Sequence, residues 1–388
     1  MSQLVCSNCK AVYRADGQSC PSCNAQGDQV YDFDQSDEYL KQEAQRIITG
    51  RQEAGLEGLV GDLAAVIINV QPDRQCNAVE ELLATTGLRY GEGYETDRYT
   101  THVLRAPAGA DFLVRARKQD NPFRRHNLHP RSEHLPDTRL ETFIFETNDL
   151  QQYVDIQQKR GITFVTDTPV ETPGYRYIQT PPSEYTGNAL GFIEWKHGRR
   201  DFTPRNAASL DWQPEKPDRP YLGNVGELDH TATRVTAGQR DRAIIEFLEL
   251  TNYHFDFAIY VKQFNSITNV ARLSSDAFAM VFTSGIAPYK DDETSGPTER
   301  FIHNYGKRVH HMAFHTEHIQ DTFAGLKEDG MDWLIELVGS PDEGLRQTFT
   351  APSDNTLLVN EYIRRYGDFD GFFTRSNVTK LTEATTKQ

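Results

Sequence analysis

The chain has 388 residues, 37% apolar and 11% aromatic, and a net charge of −15. That length exceeds one ordinary hydrophobic core and predicts two or three domains. The acidic balance excludes nucleic-acid backbones and anionic membranes as partners, and no apolar run reaches the roughly 20 residues of a spanning helix.

The first segment, MSQLVCSNCK, lacks the charged and apolar regions of an export signal, so a cytoplasmic location is expected. Four of the five cysteines follow as Cys6-x2-Cys9-x10-Cys20-x2-Cys23. Two such knuckles supply four thiolates to a tetrahedral ion, which predicts a structural Zn(II) ribbon over residues 1–30. Paired disulfides are the alternative, and a reducing compartment disfavours them. A closed set of four thiolates leaves no open coordination position, so the ribbon is expected to dock a protein partner or cover another domain. Cys76 stands alone and reads as a core residue.

From Ser36, a possible N-cap, to about Arg51, the spacing of Tyr39, Leu40, Ala44, Ile47 and Ile48 predicts a helix. Gly50, Gly55 and Gly58 are expected to end it, leaving residues 31–58 as a helical connector. The rest of the chain repeats weakly with a period of about 80 residues. RLETFIFETNDLQQYVDIQQKRGITFV, from Arg139, parallels RVHHMAFHTEHIQDTFAGLKEDGMDWL, from Arg308. Each reads as a strand, a helix and a capping glycine, Gly161 or Gly330. Two further copies begin at GDLAAVIINV (Gly61) and GELDHTATRV (Gly226). The expected architecture is α+β: four βαβββ units, paired at residues 59–215 and 220–388, each pair curving a sheet into an open barrel. The Pro-rich DWQPEKPDRPYLGN joins the halves.

Three strand-like segments of the second half, LDHTATRV, RVHHMAFHT and NTLLVNEYIRR, carry His230, His311 and Glu361. Two imidazoles and one carboxylate on rigid strands form a facial ligand set that leaves adjacent positions open on a six-coordinate metal, as in non-haem Fe(II) oxygenases. A chelating small molecule and O2 would bind side by side there. His310 adjoins His311, and on a regular strand one of the two faces the cavity; alternation alone does not say which. Aligning NALGFIEW with NTLLVNEY pairs Glu194 with Glu361, while Ala65 and Thr142 stand opposite His230 and His311. The first half is therefore expected to be metal-free.

In its segments LDH, VHHMAF, LRQTFTAP, NTLLVNEYIRR and GFFTRSNVTKL the chain resembles the 4-hydroxyphenylpyruvate dioxygenase family of the vicinal-oxygen-chelate superfamily. The resemblance is clearest from about Gly226 to Leu381, fainter over 60–200, and does not cover the ribbon. It implies four vicinal-oxygen-chelate modules and oxidative decarboxylation and hydroxylation of a 2-oxo acid by Fe(II) and O2. It also implies a substrate-side Gln347 and a lid helix with Phe372, Phe373 and Asn377. Departures occur at VFTSGIAP and at SITNVARLSS, where Asn269 is the nearest polar candidate, and Val378 replaces a second lid aromatic. They point to a substrate other than the family's usual one.

An extradiol ring-cleaving dioxygenase is the rival reading; it needs acid–base groups near the metal, for which His254, His303 and Tyr305 are candidates. A non-catalytic metal- or ligand-binding protein is another. A homo-oligomer is expected.

Overall fold

A computed structural model describes residues 3–5, 12–14, 29–31 and 33–388 except 199, 368 and 370, with side chains from residue 37 onward. Cys6, Cys9, Cys20 and Cys23 lie outside the described residues. Short strands β1 (Gln3–Val5), β2 (Val12–Arg14) and β3 (Gln29–Tyr31) pair in the order β2-β1-β3. Helix α1 follows over Phe33–Ala54, beginning before Ser36 and running through Gly50. Its extra length is held by Arg51, which is buried and donates to the carbonyls of Leu248, Thr251 and Tyr253.

The first half contains β4 (Val60–Asn69), α2 (Gln75–Thr85), β5 (Arg89–Glu95), β6 (Tyr99–Arg105), β7 (Asp111–Arg117), β8 (Arg139–Thr147), α3 (Leu150–Lys159), β9 (Val170–Glu171), β10 (Tyr175–Gln179), β11 (Ala189–Trp195) and β12 (Ala208–Ser209). The second contains β13 (Val225–Arg234), α4 (Arg240–Leu250), β14 (His254–Val261), β15 (Ser266–Arg272), β16 (Ala279–Ser284), α5 (Pro297–Tyr305), β17 (Arg308–Thr316), α6 (Ile319–Glu328), β18 (Trp333–Ser340), β19 (Leu345–Thr350), β20 (Val359–Arg365) and α7 (Arg375–Ala384).

The strand orders are β12-β5-β6-β7-β4-β8-β11-β10-β9 and β14-β15-β16-β13-β17-β20-β19-β18. In each unit the first strand lies parallel to the last, as β4 with β7, β8 with β11, β13 with β16 and β17 with β20. Parallel neighbours need a long connection, and in each unit a helix and two further strands supply it. The two units of a half join through an antiparallel central pair, β4 with β8 or β13 with β17. Four βαβββ units in two curved sheets, an α+β fold, is the architecture expected from the repeat. Gly161 and Gly330 follow α3 and α6 with φ of +87° and +90°, the left-handed turn that stops a helix.

The outward faces of the two sheets share one core. Phe112 stacks on Phe314, with centroids 5.9 Å apart, and Phe145 packs on Phe247, also at 5.9 Å. Across the pseudo-twofold junction Arg139 donates to the Lys307 carbonyl and Arg308 to that of Thr138. Cys76 is exposed, contrary to its reading as core. Gln75 takes the inward place at the start of α2 by bonding the Thr100 and Val114 carbonyls, which turns the next residue to the surface. Among the described residues no helix is long and apolar enough to cross a membrane.

Candidate metal centre

On β13 the side chains of His230, Ala232 and Arg234 face the hollow of the second sheet, while Thr231 and Thr233 turn outward to the Met280 sulfur. His311 on β17 and Glu361 on β20 face the same hollow. Their donor atoms and that of His230 lie within 4.8 Å of one another, and all three residues are buried. His230 Nε2 is 3.2 Å and His311 Nε2 3.3 Å from the same oxygen, Glu361 Oε2. Adjacent donors on an octahedral ion with bonds near 2.1 Å lie about 3 Å apart, so these spacings suit one divalent ion. His230 Nε2 is also buried without a hydrogen-bond partner among the described residues, which is costly unless something else occupies it. The donor set thus fits Fe(II).

Each donor is held from behind. His230 Nδ1 lies 2.7 Å from Asp229 Oδ1, and Arg365 grips both Asp229 oxygens at 2.5 and 3.1 Å. Burial would raise the Asp229 pKa, but Arg365 and His230 hold it well below the carboxylate range. Burial works against protonating His230, yet Glu361 and Asp229 raise it to about 9. Burial and the charges of His310, His230 and Arg234 push His311 the other way. His311 Nδ1 is 2.9 Å from His310 Nδ1, and His310 Nε2 is 2.7 Å from Gln388 Oε1. If His311 offers Nε2 to a metal, its Nδ1–H donates to His310, whose Nε2–H donates to Gln388.

Both adjacent histidines line the cavity, against the expectation that one must turn away. The ladder pairs Ala232 with His311 but Thr233 with Val309, so His310 is the extra residue of a β-bulge, which suspends alternation. The first half carries the same bulge at Glu141.

Gln347 and Asn377 form a relay to the carboxylate. Asn377 Nδ2 donates to Gln347 Oε1 at 2.9 Å, and Gln347 Nε2 donates to Glu361 Oε1 at 2.5 Å. The Gln347 amide is therefore engaged with Glu361. Phe372 and Phe373 set their rings edge-on to His230, at 5.4 and 5.1 Å, and α7 closes the cavity with Val378 and Leu381. Thr374 caps α7 by accepting from Asn377 N.

Other candidates lie elsewhere. Asn269 faces away from the hollow and donates to the Phe282 carbonyl; Ser266 and Thr268, of opposite parity on β15, line the cavity. His303 stacks on Tyr289, Tyr305 on Phe301, and His254 approaches Arg51. Sequence reasoning missed Arg234 and the Asp229–Arg365 pair. Arg234 was legible, because it shares the strand parity of His230.

The β-ladders also correct the repeat alignment. Thr142 pairs with Ala189 as His311 pairs with Val359, which makes Gly191, three residues before Glu194, the counterpart of Glu361. Glu194 instead accepts from Leu150 N at the start of α3. A side chain at Gly191 would meet the Tyr177 hydroxyl at 2.5 Å. Around it the first hollow is filled by Arg115 over Tyr99 and by Arg117 paired with Glu141.

The sequence matches no protein-family profile and no curated protein. Solved structures do match. A triple mutant of 4-hydroxymandelate synthase from Streptomyces coelicolor superposes with a TM-score of 0.64 at 19% identity, covering 85% of this chain and 99% of that one. A xylose isomerase-like TIM barrel/4-hydroxyphenylpyruvate dioxygenase fusion protein gives a TM-score of 0.59 at 15% identity, covering 90% of this chain and 58% of that one. At such identities the likeness establishes a shared fold.

Proposed function

We propose that this chain is a mononuclear non-haem Fe(II) dioxygenase of the 4-hydroxyphenylpyruvate dioxygenase type, acting on a 2-oxo acid by oxidative decarboxylation and hydroxylation. The observation that carries this reading is the convergence of His230 Nε2, His311 Nε2 and Glu361 Oε2 beneath a phenylalanine lid. The two structural neighbours, a 4-hydroxymandelate synthase and a xylose isomerase-like TIM barrel/4-hydroxyphenylpyruvate dioxygenase fusion protein, agree with it. Bound iron(II) supplies the chelation of the 2-oxo acid and the electrons that activate O2.

The chain's own groups do the rest. Glu361 offsets one of the ion's two charges, so a bound monoanion brings the centre to neutrality. Gln347 and Asn377 fix the carboxylate's rotation, and Asp229 keeps the His230 proton on Nδ1 so that Nε2 is free to ligate. Phe372 and Phe373 exclude water from the ligand face. The extradiol reading is weaker, because His254, His303 and Tyr305, its acid–base candidates, are not among the described residues lining the cavity. For the N-terminal cysteines we keep the zinc ribbon as a proposal, which metal analysis of a Cys6→Ser, Cys9→Ser variant tests: zinc should be lost and iron retained.

Anaerobic titration of the iron-free chain with Fe(II) and then pyruvate, 4-hydroxyphenylpyruvate and aliphatic 2-oxo acids should give stoichiometric iron uptake and a weak visible band. Yellow ring-opened products from catechols once air is admitted would favour the extradiol reading. No iron uptake, or no band with any 2-oxo acid, refutes the proposal.

A further inference from the structure

The metal cavity has a second charged end. Arg234 lies four residues beyond His230 on the same face of β13, is 4% exposed, and lines the cavity that holds His311 and Glu361. Among the described residues no carboxylate lies within ion-pairing reach of its guanidinium. Its hydrogen-bond partner is the Pro297 carbonyl, at a long 3.4 Å, and its flat face rests on the Phe301 ring, 4.4 Å away. Two other buried arginines are better partnered: Arg240 meets Asp37 and Asp241, and Arg51 meets three carbonyls; Arg308, with one bond to the Thr138 carbonyl, is not among the residues lining the cavity. A buried cation without a counter-ion is expensive, so one tolerated inside a cavity is a candidate anchor for an anionic ligand.

Hydroxyls surround it. Thr283 stands opposite Arg234 in the ladder, and its Oγ1 is buried without a partner. Ser266, Thr268 and Thr298 line the same end. A carboxylate accepts from such hydroxyls and from a guanidinium together. The counterpart of Arg234 in the first half is Asn69, which is tied to the Asp137 carbonyl. The arginine therefore occurs in the half that gathers the three donors. Arg234, His311 and Glu361 line one small cavity, so the two charged ends of a ligand would be joined by a short chain.

Resting on the 2-oxo acid reading above, we infer that the substrate is a short 2-oxo dicarboxylic acid, its 2-oxo acid head at the His230–His311–Glu361 centre and its distal carboxylate on Arg234. The charges then balance. An Fe(II) ion with Glu361 carries +1, Arg234 adds +1, and the ligand brings −2.

The test uses the full chain loaded with Fe(II) without oxygen. It is titrated with 2-oxoglutarate and with 2-oxopentanoate, which has the same five-carbon chain and no distal carboxylate. The visible band reports binding. The unaltered protein should bind 2-oxoglutarate about 10- to 100-fold more tightly, the usual scale of a buried charge-assisted contact. In Arg234→Gln the difference should shrink to about threefold or less, and Arg234→Lys should restore part of it. Equal binding of the two acids by the unaltered chain, or a preference that survives Arg234→Gln, overturns the inference and leaves the 2-oxo acid reading standing. If neither acid nor pyruvate gives a band, that reading falls and takes the inference with it. The comparison on the unaltered chain needs no variant to fold.

Discussion

Glu299 offers a prediction about the wall that carries Arg234. It sits in the first turn of α5, beside Pro297 and Thr298, and is 2% exposed. One carboxylate oxygen accepts from Ala237 N at 2.9 Å and Gly285 N at 3.0 Å, the other from Tyr289 N at 3.3 Å. Burial raises its pKa from the ordinary 4.5 to about 7, with the three backbone donors opposing in part. The folded chain therefore holds this proton between about pH 4.5 and 7, where the unfolded chain has released it. Its stabilising contribution is complete below the ordinary value and is lost as pH rises through 7. The gap corresponds to about 3 kcal/mol. Glu299→Gln removes the titration and keeps an oxygen for the two shorter bonds. Urea unfolding of both proteins from pH 4 to 8 should show the variant gaining about 3 kcal/mol on the parent as pH rises, since all other titrations cancel in the difference. A difference that stays flat would show that this carboxyl is not held neutral, and the reasoning would fail.

Other outcomes are equally specific. His230→Ala or Glu361→Ala should abolish Fe(II) uptake, measured as bound iron, in a chain that still folds, whereas Thr142→Ala should retain it; the reverse pattern would place the centre in the wrong half. Asp229→Ala removes the acceptor behind His230 Nδ1 and strands Arg365, and should weaken Fe(II) binding about 10- to 100-fold by competition with a chelator. A change under about twofold would count against that supporting role. Arg51→Ala strips the donor from the carbonyls of Leu248, Thr251 and Tyr253 and should cost about 3–5 kcal/mol in urea unfolding. A loss below about 1 kcal/mol would mean water replaces it.

How much was legible in the sequence follows from which features are local. Apolar periodicity and the glycines after α3 and α6 act within a few residues, so the repeating βαβββ unit could be read from Arg139 and Arg308 onward. Donor chemistry is a property of residue type, so the two imidazoles and the carboxylate could be picked out on strands. Alternation also places Arg234 on the face of His230.

The tertiary structure decided the rest, because register and bulges are set by pairing between distant strands. The matching Asn and Glu letters of NALGFIEW and NTLLVNEY suggested one alignment, and the hydrogen-bond ladder chose another, three residues away, with Gly191 at the place of Glu361. A single unpaired residue at His310 brought two neighbouring imidazoles to one face, which no strict period of two allows. That no carboxylate among the described residues pairs with Arg234 was visible only in the folded chain. Sequence determines which side chains can bind, donate or repel; the distances over which they do so belong to the folded ladder.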